Sequence, residues 1–66
     1  MIFQLERTLR NGATVIAFMG DIVLARWNKG THMEYVTWRI DKNADAYCGH
    51  YFKDLDEAKA DFKERI

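Results

Sequence analysis

Gly20-Asp21-Ile22-Val23-Leu24-Ala25-Arg26-Trp27-Asn28-Lys29-Gly30-Thr31 is the stretch on which the fold turns. Gly20-Asp21 reverses the chain, Asn28 to Thr31 reverses it again, and the apolar run between them reads as a strand over residues 22–27. Successive side chains of a strand point to opposite faces. Val23, Ala25 and Trp27 therefore share the side expected to face the core, and Ile22, Leu24 and Arg26 stand behind it.

The same period of 2 runs outward through the first two thirds of the chain. Residues 2–9 alternate, Asn11-Gly12 follows, and residues 13–19 are rich in β-branched and apolar types. Asn-Gly predicts a two-residue type I′ hairpin turn, because both central positions need positive φ. That turn would set Arg10 opposite Ala13, Leu9 opposite Thr14, Arg7 opposite Ile16 and Leu5 opposite Phe18. Phe3, Leu5, Leu9, Ile16 and Phe18 would then lie on the core side. Downstream, residues 34–40 present Val36, Trp38 and Ile40 to the core and Tyr35, Thr37 and Arg39 to the other side. A loop over residues 41–45 leads to a fifth strand, residues 46–52. Shifting that loop by one residue exchanges Tyr47, Gly49 and Tyr51 with Cys48, His50 and Phe52, and Phe52 is favoured inside because the helix follows it.

The period then changes to 3.6. Asp54 with Glu57 three positions later forms a capping box, and Asp56 suits the positive end of a helix dipole. Leu55, Ala58, Phe62 and Ile66 fall on one stripe. The expected class is α+β: an antiparallel meander of four or five strands, residues 2–52, then one C-terminal helix, residues 54–66. The helix packs on one sheet face and leaves the other mostly open, within a single domain of 66 residues.

Composition supports a small folded domain. Ten basic residues balance ten acidic ones, with 48% hydrophobic and 14% aromatic residues, unlike a disordered chain. A single cysteine, Cys48, forms no intrachain disulfide and suits a reducing compartment. No apolar run approaches the roughly 18 residues of a membrane span, and Met1-Ile2-Phe3-Gln4 lacks a signal-peptide layout, so a cytoplasmic protein without membrane partners is expected.

Little catalytic chemistry is legible. Serine is absent, and the four glycines are scattered, so neither a serine nucleophile nor a phosphate loop is present. Cys48 and His50 share a strand face at i, i+2, and His32 lies in a turn, but zinc wants three or four ligands. The expectation is a non-enzyme that needs no metal or cofactor.

Three surfaces remain. Glu57, Asp61 and Glu64 form an acidic helix edge, with Asp54 in line and Lys59 and Lys63 on the opposite flank; a solvated helix face would look the same. Ile22, Leu24, Arg26, Tyr35, Thr37 and Arg39 form the expected open sheet face, whose mix of aromatic, arginine and aliphatic side chains suits a partner protein or a homodimer. Arg7, Arg26 and Arg39 with Trp27, Trp38 and the tyrosines suggest nucleic acid. The stretch from Trp38 through Phe62, with Gly49 to Phe52 ahead of Asp54, Glu57 and Ala58, is similar to the DNA-binding domains of plant ethylene-response factors and tyrosine-integrase amino termini. Charge opposes that reading: residues 1–52 hold six basic and five acidic residues, a net of +1.

A second resemblance spans more of the chain. Tyr35-Val36-Thr37-Trp38-Arg39-Ile40-Asp41, then Gly49-His50-Tyr51-Phe52, then Leu55 with Glu57-Ala58 and Asp61-Phe62, resembles small proteins carried by phages and integrative elements of Firmicutes. Leu5-Glu6-Arg7-Thr8-Leu9 with Asn11-Gly12 is similar to theirs as well. Some streptococcal prophage proteins of this size are anti-CRISPR proteins, which block the RNA-guided nuclease of type II systems by binding it. The resemblance implies a mobile-element inhibitor whose partner is a host protein such as that nuclease or its guide complex.

Overall fold

The computed structural model describes residues 7–43 and 45–66, so the expected strand residues Phe3 and Leu5 lie outside the described part. Five strands follow in chain order: β1 (Arg7–Thr8), β2 (Thr14–Met19), β3 (Ile22–Asn28), β4 (Met33–Ile40) and β5 (Ala46–Phe52). They form one sheet in the order β1-β2-β3-β4-β5, each neighbouring pair antiparallel. Helix α1 (Leu55–Arg65) then packs against β3, β4 and β5. The architecture is the α+β meander with one C-terminal helix.

The first turn differs from the expected one by a residue. Gly12 N–H donates to the Leu9 carbonyl at 2.9 Å, Leu9 N–H donates to the Ala13 carbonyl at 2.7 Å, and Gly12 has φ 94°. This is a three-residue loop, Arg10-Asn11-Gly12, closed by a left-handed glycine rather than a two-residue type I′ turn. Asn11 Oδ1 accepts from Ala13 N–H at 3.0 Å and holds it. Thr8 consequently pairs with Thr14 and Arg7 with Val15, one residue away from the expected register. A one-residue slip exchanges faces. Val15, opposite Ala25, takes the core position expected for Ile16; a bulge between Val15 and Ala17 then sets Phe18 opposite Val23, where it is 66% exposed rather than in the core as expected.

One face of the sheet holds Val23, Ala25, Val36 and Trp38, buried with Ala13 and packed by Leu9, Val15, Trp27, Ile40 and Ala46. Trp27 and Trp38 meet edge to face with centroids 5.3 Å apart, a geometry the aromatic quadrupole favours. The sheet curls around this cluster. Its first loop reaches its last one, where Arg10 Nη1 lies 3.1 Å from Asp45 Oδ1 and Arg10 Nη2 donates to the Asn43 carbonyl.

The helix covers the opposite face, which corrects the expectation of an open one. Asp61 and Arg65 of α1 bond to Thr37, and Ile22 and Leu24, on the same side as Thr37, are 2% and 3% exposed. The physical reason is that curling already fills the Trp38 side, so Ile22 and Leu24 would stay wet unless the helix covered them. The helix is also rolled from its predicted stripe. Ala58 is fully buried and Leu55 and Phe62 half-buried, but Ile66 is 53% exposed while Asp61 and Arg65 turn inward. Asp54 caps the start, its carboxylate accepting from Asp56 N–H at 3.0 Å.

β5 carries a second bulge. Thr37 pairs with His50 but Arg39 pairs with Tyr47, so Cys48 and Gly49 together oppose Trp38, and Cys48 takes φ 55°. Neither alternating set predicted for this strand therefore keeps one face. Tyr47, His50 and half-buried Phe52 fall on the helix side, opposite Arg39, Thr37 and Tyr35, whereas Tyr51 falls on the other side, 6.1 Å from Trp38 between ring centroids. Gly49 lets the indole lie against the bulge: a Cβ there would sit 2.5 Å from Nε1 and 2.8 Å from Cδ1 of Trp38. Gly49→Ala should therefore displace Trp38 and lower stability by about 1–3 kcal/mol in a denaturant titration, and a variant as stable as the parent would mean that the bulge yields instead.

Candidate functional site

Strand register arranges the helix-bearing face as three rows that cross the sheet. Thr14, Arg26, Tyr35 and Phe52 form the first, Ala17, Leu24, Thr37 and His50 the second, and Met19, Ile22, Arg39 and Tyr47 the third. All six residues expected to form a partner-binding sheet face do share this face. They do not share exposure. Ile22, Leu24 and Thr37 are buried, and Arg26, Tyr35 and Arg39 are half-buried.

The second row is a polar seam under the helix. Thr37 is 0% exposed, and its hydroxyl donates to Asp61 Oδ2 while accepting from Arg65 Nη1 at 3.0 Å. Arg65 Nη1 also donates to the Thr37 carbonyl at 3.1 Å. From the strand side His50 Nδ1 lies 2.9 Å from Asp61 Oδ2. Thr37 and Asp61, which the sequence assigned to two separate surfaces, are thus partners inside one junction. Asp61 is no part of an exposed acidic edge; Glu57 and Glu64 remain exposed on that flank. The Thr37 hydroxyl, buried and directed at a carboxylate rather than at His50, is not presented as a nucleophile.

Burial pushes the Asp61 carboxyl upward, but hydrogen bonds from Thr37 and His50 together with the positive charges of His50 and Arg65 outweigh it and hold the group below its ordinary value. A carboxylate lowered in the folded state stabilises the fold above its unfolded pKa, and that contribution drains away as pH falls through the lowered folded one.

The third row is where the face opens. Met19 at one end is 59% exposed and Tyr47 at the other is 45% exposed. Between them lie buried Ile22 and Arg39, whose Nη1 pairs with Asp21 Oδ2 at 2.9 Å. Helix α1 begins just after Phe52 in the first row and fastens to the second through Asp61 and Arg65, and Ile66, which follows it, is exposed. Met19, Tyr47 and Ile66 were not among the residues that the sequence assigned to a partner surface, and Ile66 was expected on the packed stripe of the helix. The turn, the bulges and the helix roll decide their exposure, and none of these shows in a period count.

Elsewhere, His32 Nε2 pairs with Glu34 at 3.1 Å, and Cys48 is exposed. Among the described residues no group of three or more His, Cys, Asp or Glu is placed to hold a metal ion, and no helix is long and apolar enough to cross a membrane. A shallow hollow lined by Leu9, Arg10, Asn11, Asp45 and Ala46 is bridged by the Arg10 to Asp45 ion pair.

The seam makes a stability prediction. Thr37→Val removes a donor from a carboxylate and should cost about 1–3 kcal/mol. Asp61→Asn should flatten the acid limb of stability against pH, below the ordinary carboxylate range; an unchanged limb in the variant would show that Asp61 does not set it. Compared with known proteins, the chain matches no family model, no curated protein and no solved structure.

Proposed function

We propose that the protein is a non-enzymatic binding module that acts stoichiometrically on a host defence protein, the RNA-guided nuclease of a type II CRISPR system or its guide complex. The observation that carries the binding role is the open end of the helix-bearing face. Exposed Met19 and Tyr47 stand at the two ends of the row that holds Ile22 and the Asp21-paired Arg39, and a tyrosine, an arginine and a methionine beside an aliphatic is the composition of interface cores and hot spots. Met19, Ile22, Arg39 and Tyr47 stand on neighbouring strands of one sheet, so their backbone is ordered before a partner arrives, which lowers the ordering cost of binding.

The choice of target draws on the likeness of residues 35–41, 49–52 and 55–62 to small phage and integrative-element proteins. Net charge narrows the mode of action. A chain with ten basic and ten acidic residues is too neutral to imitate DNA along its whole surface or to bind it through phosphate neutralisation. Contact through side chains at the third row is the mode that remains.

Arg39→Ala and Tyr47→Ala should each weaken binding to the target by about 1–2 kcal/mol in a titration, with folding checked by circular dichroism. Reversing exposed Glu57 and Glu64 to Lys should alter mainly the salt dependence. Guide-dependent plasmid interference in cells with and without the protein decides the target. Interference that is unchanged across a panel of type II nucleases would remove that assignment.

A further inference from the structure

We propose that α1 is a strap released from the sheet without global unfolding, and that the charge on His50 sets how firmly it is held. The apolar footing of the helix is thin. Ala58 is its one fully buried residue, Leu55 and Phe62 are half-buried, and Ile66 is exposed. The rest of the hold is the seam, in which Asp61 and Arg65 clamp Thr37 from the helix side and His50 meets Asp61 from β5. The sheet keeps its own second core on the far side around Val36 and Trp38, a cluster that includes no helix residue. Lifting the helix leaves that cluster intact. Local opening of this kind follows from few apolar contacts at one element and many at the others.

Histidine is the side-chain type whose charge answers to pH in the physiological range, and His50 is the histidine of this junction. Its side chain is half exposed, so protons reach it, and its Nδ1 lies 2.9 Å from Asp61 Oδ2. Neutral His50 gives Asp61 a hydrogen bond; protonated His50 gives the same bond plus a charge. The charged groups of α1 around it are Asp61, then Arg65, which shares Thr37 with Asp61, with Glu57 and Glu64 on the same helix flank. From β4, Arg39 lies in the next row and is paired with Asp21, and Tyr35 lies in the row before; Arg26 of β3 shares that earlier row. On β5 itself Tyr47 and Cys48 precede His50, and Lys53 follows the strand. The carboxylate in direct contact dominates this set, so protonation tightens the strap. Release uncovers Ile22 and Leu24, an apolar strip that the closed form hides. This device is independent of the identity of any target.

Amide hydrogen exchange of the full chain, read by NMR at about pH 5.5 and 7.5 and corrected for intrinsic rates, tests it on either side of the ordinary histidine range. The expected result is that α1 amides exchange through an opening that leaves β3 and β4 protected. That opening should be about twofold to fivefold rarer at the lower pH, the scale of a partly exposed ion pair. His50→Gln, which keeps a polar side chain at a half-exposed position, should abolish the pH difference while leaving the separate opening in place. His32, in the β3–β4 loop, is untouched by that change. Two results would overturn the proposal: α1, β3 and β4 exchanging together, or a pH difference in His50→Gln equal to that of the parent.

Discussion

β3 is buried on both sides. Ile22, Val23, Leu24 and Ala25 are four consecutive residues with almost no exposure, and consecutive strand residues point to opposite faces, so the sheet has two apolar faces and needs two covers. The described residues have one helix to offer. The second cover comes from curvature: the sheet closes over Val23, Ala25, Val36 and Trp38 until its first and last loops meet at Arg10 and Asp45. Each fully buried aliphatic contributes about 1.5–3 kcal/mol, so each face favours its covered form.

Curvature has a geometric requirement, and the irregularities supply it. A bulge at Ile16 and another at Cys48-Gly49 add a residue on the strands that flank the β3–β4 pair, which bends those strands more sharply than a regular ladder would. Gly49 leaves room for the Trp38 indole at the second of these bulges. The helix then meets a face whose central position is a threonine. A buried hydroxyl without a partner costs about 1–3 kcal/mol, and Asp61 with Arg65 removes that cost while fixing the angle at which the helix sits. The roll that exposes Ile66 follows from that fastening.

Element order, strand boundaries and the Val23, Trp27, Val36, Trp38 and Ile40 side were legible because period and turn chemistry are local properties. The cover of each side was not. Ile22-Val23-Leu24-Ala25 reads equally as an alternating strand with a tolerant back or as one buried twice, and only the continuous apolar run points to the second. Asn11-Gly12 suits both a two-residue and a three-residue loop, since Gly12 takes positive φ in either, and the choice shifts every pair that follows. Thr37 and Asp61 were each recognisable as unusual, one polar in a core strand and one acidic beside an apolar stripe. Their meeting depends on which face the helix takes.

The same irregularities shape what the surface can do. β5 ends the described sheet, and a free edge strand is a template for another strand. Here the template is broken at its middle, where Cys48 turns into the left-handed region and Tyr47 and Tyr51 fall on opposite faces. A second copy of β5 aligned antiparallel about Gly49 would set Tyr47 against Tyr51, and directly opposed residues of a regular ladder must lie on one face. Backbone pairing along this edge is therefore frustrated from within the strand. The exposed aromatics of β5 act as side chains on a rigid support, and Tyr47, whose ring belongs to the row with Arg39 and Ile22, is the one the fold joins to a larger surface.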